Sequence, residues 1–202
     1  AARFPYAIHA ATGVPGIRLR PRKDSAVTTT LERPAETEYA PFYAGYVERV
    51  PDGAVFEMFA GQPDALRSLL AALPAEHADF RPGPAEWSIK EVVGHINDAE
   101  RVFAYRALRI SRADETPLAG FEQDDYVREA NFGERTLPDL LEEFELLRRA
   151  NLLAFKGLTD DVTRRMGTAS GFPVSVRALL YIMAGHVEHH LESLRTDYLA
   201  RL

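Results

Sequence analysis

The amino-acid sequence predicts an all-α protein: an up-down four-helix bundle with long crossover loops and an irregular N-terminal arm. Three observations support this prediction. The 202 residues are 46% apolar and 27% charged, which is ordinary composition for one globular domain. Four long segments carry apolar residues at helical spacing, and no stretch alternates convincingly as a β-strand. Amphipathic helices of this kind bury their apolar stripes most simply in a bundle, with ligand sites between facing helices.

The chain is expected to divide into an irregular basic arm, residues 1–26, and a helical domain, residues 27–202. In the first 24 residues, basic residues outnumber acidic ones five to one, and prolines and glycines interrupt any regular period. The apolar residues of this arm are too dispersed to form a secretory signal, so we expect a cytoplasmic protein. Residues 27–51 are expected to be an extended lead-in whose aromatic side chains pack across the bundle.

The first two helices are predicted from their boundary signals. The first covers residues 53–73, with Asp52 as the N-cap and a following proline as the stop. The second covers residues 88–113. It begins with the S-x-x-E capping box of Ser88 and Glu91, which satisfies free amide groups at a helix start.

The last two helices have equally clear starts. The third covers residues 137–158, with Thr136 as the cap, a proline in the first turn and a glycine near the end. The fourth covers residues 176–199 and is capped by Ser175. Two connections are long enough to form the wall of a pocket: residues 114–135 and residues 159–174.

Charge and composition exclude several classes of partner. With 24 basic and 30 acidic residues the net charge is −6, which does not favour binding to a nucleic-acid backbone. The longest apolar run is far shorter than the roughly 18 residues of a membrane span, so we expect no membrane partner. The chain has no cysteine, which excludes disulfides, thiolate ligands and a cysteine nucleophile. Any metal must therefore be bound by histidines and carboxylates.

Three histidines are predicted to point into the bundle. On the fourth helix His186 and His190 lie one turn apart on the apolar face, whereas His189 points outward. His95 borders the apolar stripe of the second helix, so three imidazoles from two helices can meet at one cation. Such a site keeps a position open for water or substrate, as catalytic metal sites do. The alternative is a set of hydrogen-bonded core histidines, the commoner role for a single inward histidine.

The donor set narrows the choice of metal only in part. Three imidazoles suit zinc, but imidazole also binds nickel, iron and copper. The sequence has neither an H-E-x-x-H motif nor a glutamate three residues before any histidine, so a dinuclear carboxylate site is not predicted. We expect one divalent metal, with zinc or nickel preferred over iron or manganese.

Three polar residues on the second helix fall on the same side as His95. Asp98 either orients an imidazole or acts as a base for bound water, and the alternative is a solvated helix residue. Glu91 has the same two options, but its capping box already explains it. Arg106 either binds an anionic substrate or pairs with an acidic side chain, and pairing is the commoner case.

Two further groups of residues have a default structural interpretation. The connection that contains Asp124 either closes over the pocket or is simply solvated, and solvation is the default. Aromatic residues at helical spacing, among them Trp87 and Phe103, are expected to pack in the core and receive no functional role.

Two segments carry a recognisable pattern: WSIKEVVGHINDAE at residues 87–100, and VSVRALLYIMAGHVEHHLESL at residues 174–194. A tryptophan opens a helix, a histidine near its middle is followed by an acidic residue, and a final H-x-x-x-H closes the pattern. This resembles the DinB-like (DinB/YfiT) superfamily from about residue 42 to the C-terminus. The resemblance implies an up-down four-helix bundle that binds a divalent metal through the positions of His95, His186 and His190.

The resemblance leaves the reaction open, because the family includes bacillithiol-type S-transferases, mycothiol-dependent maleylpyruvate isomerase and proteins known only as metal-dependent hydrolases. It implies a small-molecule substrate. In a thiol S-transferase the metal would deprotonate a low-molecular-weight thiol. In a hydrolase it would activate water, with Asp98 or Glu91 as base. The competing hypothesis is a non-catalytic metal- or ligand-binding interaction protein. In either case a homodimer is expected, because bundles often pair through a helical face.

Overall fold

The computed structural model of the chain describes residues 30–202, so the predicted basic arm lies outside the described residues. Within this range the chain forms seven α-helices and one β-hairpin. The helices are α1 (Ala44–Glu48), α2 (Val55–Leu70), α3 (Ile89–Ser111), α4 (Gln123–Glu129), α5 (Leu137–Phe155), α6 (Asp160–Thr163) and α7 (Val176–Ser193). The strands are β1 (Met166–Ala169) and β2 (Phe172–Ser175).

The four long helices form the predicted four-helix bundle. Helix α3 packs against α5 and α7, and α2 packs against the same two helices. Consecutive helices α2 and α3 therefore occupy opposite corners, as do α5 and α7, and the chain crosses the bundle between them. None of the helices in the described part of the chain combines the length and apolar character that crossing a bilayer requires.

The capping signals correctly predicted where three of the bundle helices begin. The Ser88 hydroxyl accepts from the Glu91 N–H at 3.2 Å, and the Glu91 carboxylate accepts from the Ser88 N–H at 2.7 Å, which completes the capping box at α3. Thr136 caps α5 at 3.3 Å and Ser175 caps α7 at 3.0 Å, each by accepting the N–H three residues later. Helix α7 continues into a π-helical turn, Leu194–Tyr198, so the predicted end near residue 199 agrees closely with the end of this turn.

The predicted start of α2 was wrong. The helix begins at Val55 with Ala54 as its N-cap residue, and Asp52 caps nothing. The Asp52 carboxylate instead accepts from Arg33 Nε at 2.6 Å, and Gly53 turns the chain with a φ of 76°. The helix also ends earlier than predicted, at Leu70.

The prediction of an extended lead-in was also wrong, because the segment before α2 folds into two 3₁₀ turns, Glu36–Glu38 and Pro41–Tyr43, followed by α1. The predicted aromatic packing is present: Tyr43 contacts Phe103, and Tyr46 contacts His186. Phe42 contacts Tyr43 and Phe172, although most of its side chain is exposed. Helix α1 packs on α7.

The β-hairpin was not predicted. Its strands pair antiparallel, and Ala169 pairs with Phe172 across a turn in which Ser170 and Gly171 both have positive φ, 53° and 82°. The connection after α3 is hydrogen-bonded to this hairpin, because the Leu118 carbonyl accepts from the Ser170 N–H at 3.0 Å. Gly167 of β1 packs against α3, and a Cβ on this glycine would be 2.5 Å from a side-chain carbon of Ile110.

A buried polar network joins the bundle helices. Arg148 of α5 is fully buried and pairs with Glu100 of α3 at 2.7 Å. It also donates to Gln62 of α2 at 3.0 Å and to the Met183 carbonyl of α7 at 3.3 Å. Its guanidinium lies 4.1 Å from the centre of the Phe59 ring. The network thus spans all four helices in the layer next to the predicted histidine site.

Candidate metal centre

Three histidine side chains meet between α3 and α7. His95 Nε2 lies 3.0 Å from His186 Nε2, which in turn lies 3.1 Å from His190 Nε2. The ligand atoms of all three lie within 4.8 Å of one another. The spacing of His186 and His190 places them one turn apart on the buried face of α7. The predicted convergence of the three imidazoles is therefore present in the structure.

In α3 a glycine directly precedes His95, and in α7 a glycine directly precedes His186. A Cβ on Gly94 would lie 2.4 Å from the Phe132 ring, and a Cβ on Gly185 would lie 1.9 Å from the Tyr46 carbonyl oxygen. The two glycines let the 3₁₀ turn Phe132–Glu134 and helix α1 pack closely on α3 and α7. The packing of α1 on α7 brings the Tyr46 ring against His186.

Burial makes the three imidazoles good neutral donors. His95, His186 and His190 are 3%, 5% and 9% exposed. Burial, with a contribution from His189, lowers the pKa of His95 to about 4. Burial and the neighbouring histidines also hold the pKa values of His186 and His190 well below the ordinary range. At neutral pH the rings are uncharged and can offer lone pairs to a cation.

The donor set fits a divalent metal ion. Nitrogen atoms bound at about 2.0–2.1 Å to a tetrahedral metal lie about 3.3 Å apart, close to the separations of 3.0 and 3.1 Å found here. All the donors in the cluster are imidazole nitrogens, as expected for zinc and for several other transition metals.

Aromatic rings hold the histidines in place. The centre of the Trp87 ring lies 4.7 Å from that of His95, and the centre of the Tyr46 ring lies 5.4 Å from that of His186. His189, predicted to point outward, is only partly exposed, because Tyr46 of α1 packs against it at 5.5 Å. Sequence reasoning missed this layer and assigned Trp87 to core packing alone.

Two cavities of about 320 Å³ each reach the histidine cluster. The first, which we call the aromatic cavity, is lined by His95 and His186 and by the rings of Phe42, Tyr43, Tyr46, Phe103 and Phe121. The second, the polar cavity, is lined by His189, His190, Trp87, Glu86, Ser193 and Tyr198. Tyr46, Gln123 and Asp124 line both. The connection after α3 therefore borders the site, although Gln123 and Asp124 remain exposed to water.

A sequence model of the DinB superfamily matches residues 58–194, which include both histidine-bearing helices and most of the bundle. The chain belongs to the DinB superfamily.

The fold of this DinB-superfamily protein is similar to that of YfiT from Bacillus subtilis. The two structures match with a TM-score of 0.67 at 15% sequence identity, over 83% of this chain and 91% of that chain. YfiT is described as a probable metal-dependent hydrolase with an unusual four-helix bundle topology. At this identity the likeness shows a shared fold. No curated protein matches the chain in sequence.

Asp98, the predicted base of this DinB-superfamily protein, is half-buried, and burial raises the pKa of its carboxyl group. The charges that act on it are those of Arg101, Glu143 and Arg135. It lines neither cavity that reaches the histidines. Its catalytic role therefore stays a prediction.

Glu91 and Arg106, the other two polar residues of interest on α3, have clear partners. Glu91 accepts from the Ser88 N–H and from Arg81 at 2.7 Å, so the carboxylate caps the helix as expected. Arg106 is buried, but it binds the Ala119 carbonyl and the Ser170 hydroxyl rather than an acidic side chain. The ion pair favoured by the sequence is thus not found for Arg106 among residues 30–202.

Proposed function

We propose that this protein is a divalent-metal-dependent enzyme of the hydrolase or small-thiol S-transferase type. The proposed ligands are His95, His186 and His190. The observation that carries the proposal is the convergence of their Nε2 atoms beside two cavities. Three protein ligands leave a fourth position for a small molecule, which is the usual arrangement of a catalytic zinc site and not of a closed structural one.

A divalent metal, when bound, supplies Lewis-acid chemistry that makes water or a thiol easier to deprotonate. The chain itself prepares the site. Burial keeps the three imidazoles neutral, and the rings of Trp87 and Tyr46 fix their orientation. Zinc or nickel is the proposed metal, and iron and manganese are the alternatives; imidazole ligands suit zinc, nickel and iron, whereas manganese prefers oxygen donors.

The two versions of the reaction differ in the nucleophile. The chain has no cysteine, so an S-transferase must take its sulfur from a low-molecular-weight thiol co-substrate. A hydrolase needs a base for water. Asp124 lines both cavities and is the better-placed candidate, whereas Asp98 is the candidate proposed from the sequence.

The test uses chelator-treated protein to which metal is added back. Model esters, amides and electrophiles are assayed with and without a thiol of the bacillithiol or mycothiol kind. We expect turnover that is lost on chelation, restored by zinc or nickel, and absent in the His186→Ala variant. Thiol-dependent turnover identifies a transferase, and turnover in water alone identifies a hydrolase. Activity that is unchanged after chelation and in His186→Ala would contradict the proposal.

Asp98→Asn and Asp124→Asn variants then separate the candidate bases in the hydrolase version. We expect the variant of the true base to lose kcat by about 100-fold or more while it still binds metal. The other variant is its matched control. Equal activity of both variants and the wild type would remove both residues from the reaction.

A further inference from the structure

A third cavity, of about 580 Å³, lies where the end of α2 and the starts of α3 and α5 come together. It shares no lining residue with the two cavities of the histidine cluster. We call it the amphipathic cavity, because its wall combines an apolar part with three cations. Its volume falls within the range of small-molecule sites in proteins.

The apolar part of the wall comes from side chains of the helix ends and of the connection after α2. They are Leu70, Leu73, Ala78, Leu137, Pro138 and Leu141. Leu73 is only half-buried, so the cavity exposes aliphatic surface to water. The hydrophobic effect therefore favours an aliphatic group over water against this part of the wall.

The charged part of the wall consists of Arg67, Lys90 and Arg135. One acid, Glu134, also lines the cavity, and it is exposed to water, which screens its charge. Positive groups therefore outnumber negative ones by three to one in the wall. This excess favours an anionic ligand over a neutral or cationic one.

Lys90 is the most enclosed of the three cations. Its side chain is 12% exposed, and its ammonium group donates to Asp79 at 3.0 Å and to the Gly133 carbonyl at 2.9 Å. An ammonium group has three N–H donors, so these two acceptors leave one donor for a ligand. Asp79, which pairs with it, does not line the cavity.

The two arginines of the wall have only part of a counter-ion each. Each shares its carboxylate with a second arginine: Glu143 pairs with Arg135 and Arg101, and Glu145 pairs with Arg67 and Arg149. Neither glutamate lines the cavity. One carboxylate cannot neutralise two guanidinium groups, so positive charge remains at the wall. A guanidinium also has five N–H donors, of which these pairs use only a few.

We propose that the amphipathic cavity binds a medium-chain fatty acid. Its carboxylate is held by Lys90 with Arg67 and Arg135, and its aliphatic chain packs on the leucines of the wall. This is a binding site separate from the histidine cluster, and it goes beyond the proposed function because it needs neither the metal nor the reaction.

The test compares octanoate with 1-octanol, which has the same chain without the charge, by isothermal titration calorimetry on the full-length protein. We expect octanoate to bind about tenfold or more tightly, because hydrogen bonds to a charged group are stronger than neutral ones. From butanoate to octanoate, affinity should rise about two- to fourfold for each added methylene group. Binding should be the same before and after chelator treatment.

Variants of the wall locate the site. Lys90→Met removes the enclosed charge and keeps an apolar side chain, so it should reduce the preference for octanoate about tenfold and leave octanol binding unchanged. Lys90→Arg should retain part of the preference. Arg128→Gln is the matched control, because Arg128 is an exposed, ion-paired cation of α4 that does not line the cavity.

Three results would overturn the inference: equal binding of octanoate and octanol, an unchanged preference in folded Lys90→Met, or loss of octanoate binding on chelation, which would place the carboxylate at the histidine cluster. Should Lys90→Met fail to fold, the double variant Arg67→Gln with Arg135→Gln changes two solvent-accessible side chains and must weaken octanoate binding. Loss of turnover on chelation tests the proposed function, so either proposal can fail alone.

Discussion

The main-chain carbonyl oxygen of Tyr46 occupies the place where any other residue at position 185 would carry its Cβ atom. A Cβ built on Gly185 lies only 1.9 Å from that oxygen. Glycine is thus required where α1 packs on α7, one residue before His186. The same contact brings the Tyr46 ring to 5.4 Å from His186 and makes it part of both cavities. A small residue on α7 therefore positions an aromatic residue of the site.

Gly185→Ala is expected to push α1 away from α7. Overpacking of this kind costs about 1–3 kcal/mol, and the free energy of unfolding in urea should fall by that amount. The metal site should also weaken, because Tyr46 no longer packs on His186. Gly61→Ala is the control, since a Cβ there meets nothing and the position is exposed in α2. That change should stabilise the protein by up to about 1 kcal/mol. Equal behaviour of the two variants would contradict this account of Gly185.

Gly94→Ala tests the corresponding contact on α3. The new methyl group would lie 2.4 Å from the Phe132 ring, so we expect a loss of about 1–3 kcal/mol in the free energy of unfolding. Because the clash is with a side chain, Phe132→Ala in the same protein should relieve part of it. The double variant should then lose less stability than the sum of the two single variants. Strict additivity would show that the ring is not the obstacle.

The buried pair of Arg148 and Glu100 is expected to show strong coupling. Burial raises the pKa of Glu100, and burial lowers the pKa of Arg148, while each partner favours the charged form of the other. Arg148→Met leaves a buried carboxylate without its partner and should cost about 3–5 kcal/mol. Adding Glu100→Gln should recover part of that loss in urea unfolding experiments. A double variant as unstable as the sum of the single changes would rule out the coupling.

Glu38 is expected to make stability depend on pH in the acidic range. Burial acts to raise its pKa, but hydrogen bonds from Arg177, Ser175 and the Ala35 N–H outweigh it and lower the pKa from 4.5 to about 2. The stabilisation is therefore fully present above pH 4.5 and disappears as the pH falls towards 2.

The measurement is the free energy of unfolding of Glu38→Gln and wild-type protein across this range. The variant should be less stable near neutral pH, and the difference should shrink between pH 4.5 and about 2. Glu36→Gln is the control, because Glu36 is exposed in the same turn and has no ion-pair partner among residues 30–202. A difference that is constant with pH would contradict the low pKa of Glu38.

The starts of three bundle helices could be predicted because their caps act locally. Ser88, Thr136 and Ser175 each bond an N–H only three residues away, so the signal lies within the segment itself. Asp52 is also a residue type that caps helices, but it does not cap α2. Its carboxylate binds Arg33, 19 residues away, a competition that no local pattern reveals.

The β-hairpin could be predicted only in part. Ser170 and Gly171 form a Ser-Gly dipeptide, which is typical of turns and was the part of the hairpin that the sequence indicated. The strands have four residues each, too few for a clear alternation. Contacts with residues distant in sequence, the Leu118 hydrogen bond and the close approach to Ile110, accompany the pairing.

Helical geometry predicted the convergence of the three imidazoles because it depends on spacing within α3 and α7. The residues that cover the cluster could not be predicted in this way. Tyr46 and Asp124 reach it from α1 and α4, which helical wheels of α3 and α7 do not include. The half-burial of His189 has the same origin. Metal identity, the homodimer and the cytoplasmic location stay predictions, because none of them follows from contacts within one chain.

Zinc titration of chelator-treated protein by calorimetry tests the central claim most directly. Wild-type protein should bind one zinc ion per chain. The variants His95→Ala, His186→Ala and His190→Ala should each bind zinc more than about 100-fold more weakly, a larger loss than that from a supporting residue. Their circular dichroism should still show the helical content of the wild type. His77→Ala changes a histidine outside the cluster and should bind like the wild type. Wild-type affinity in all three cluster variants, or no binding by the wild type, would contradict a metal centre at these histidines.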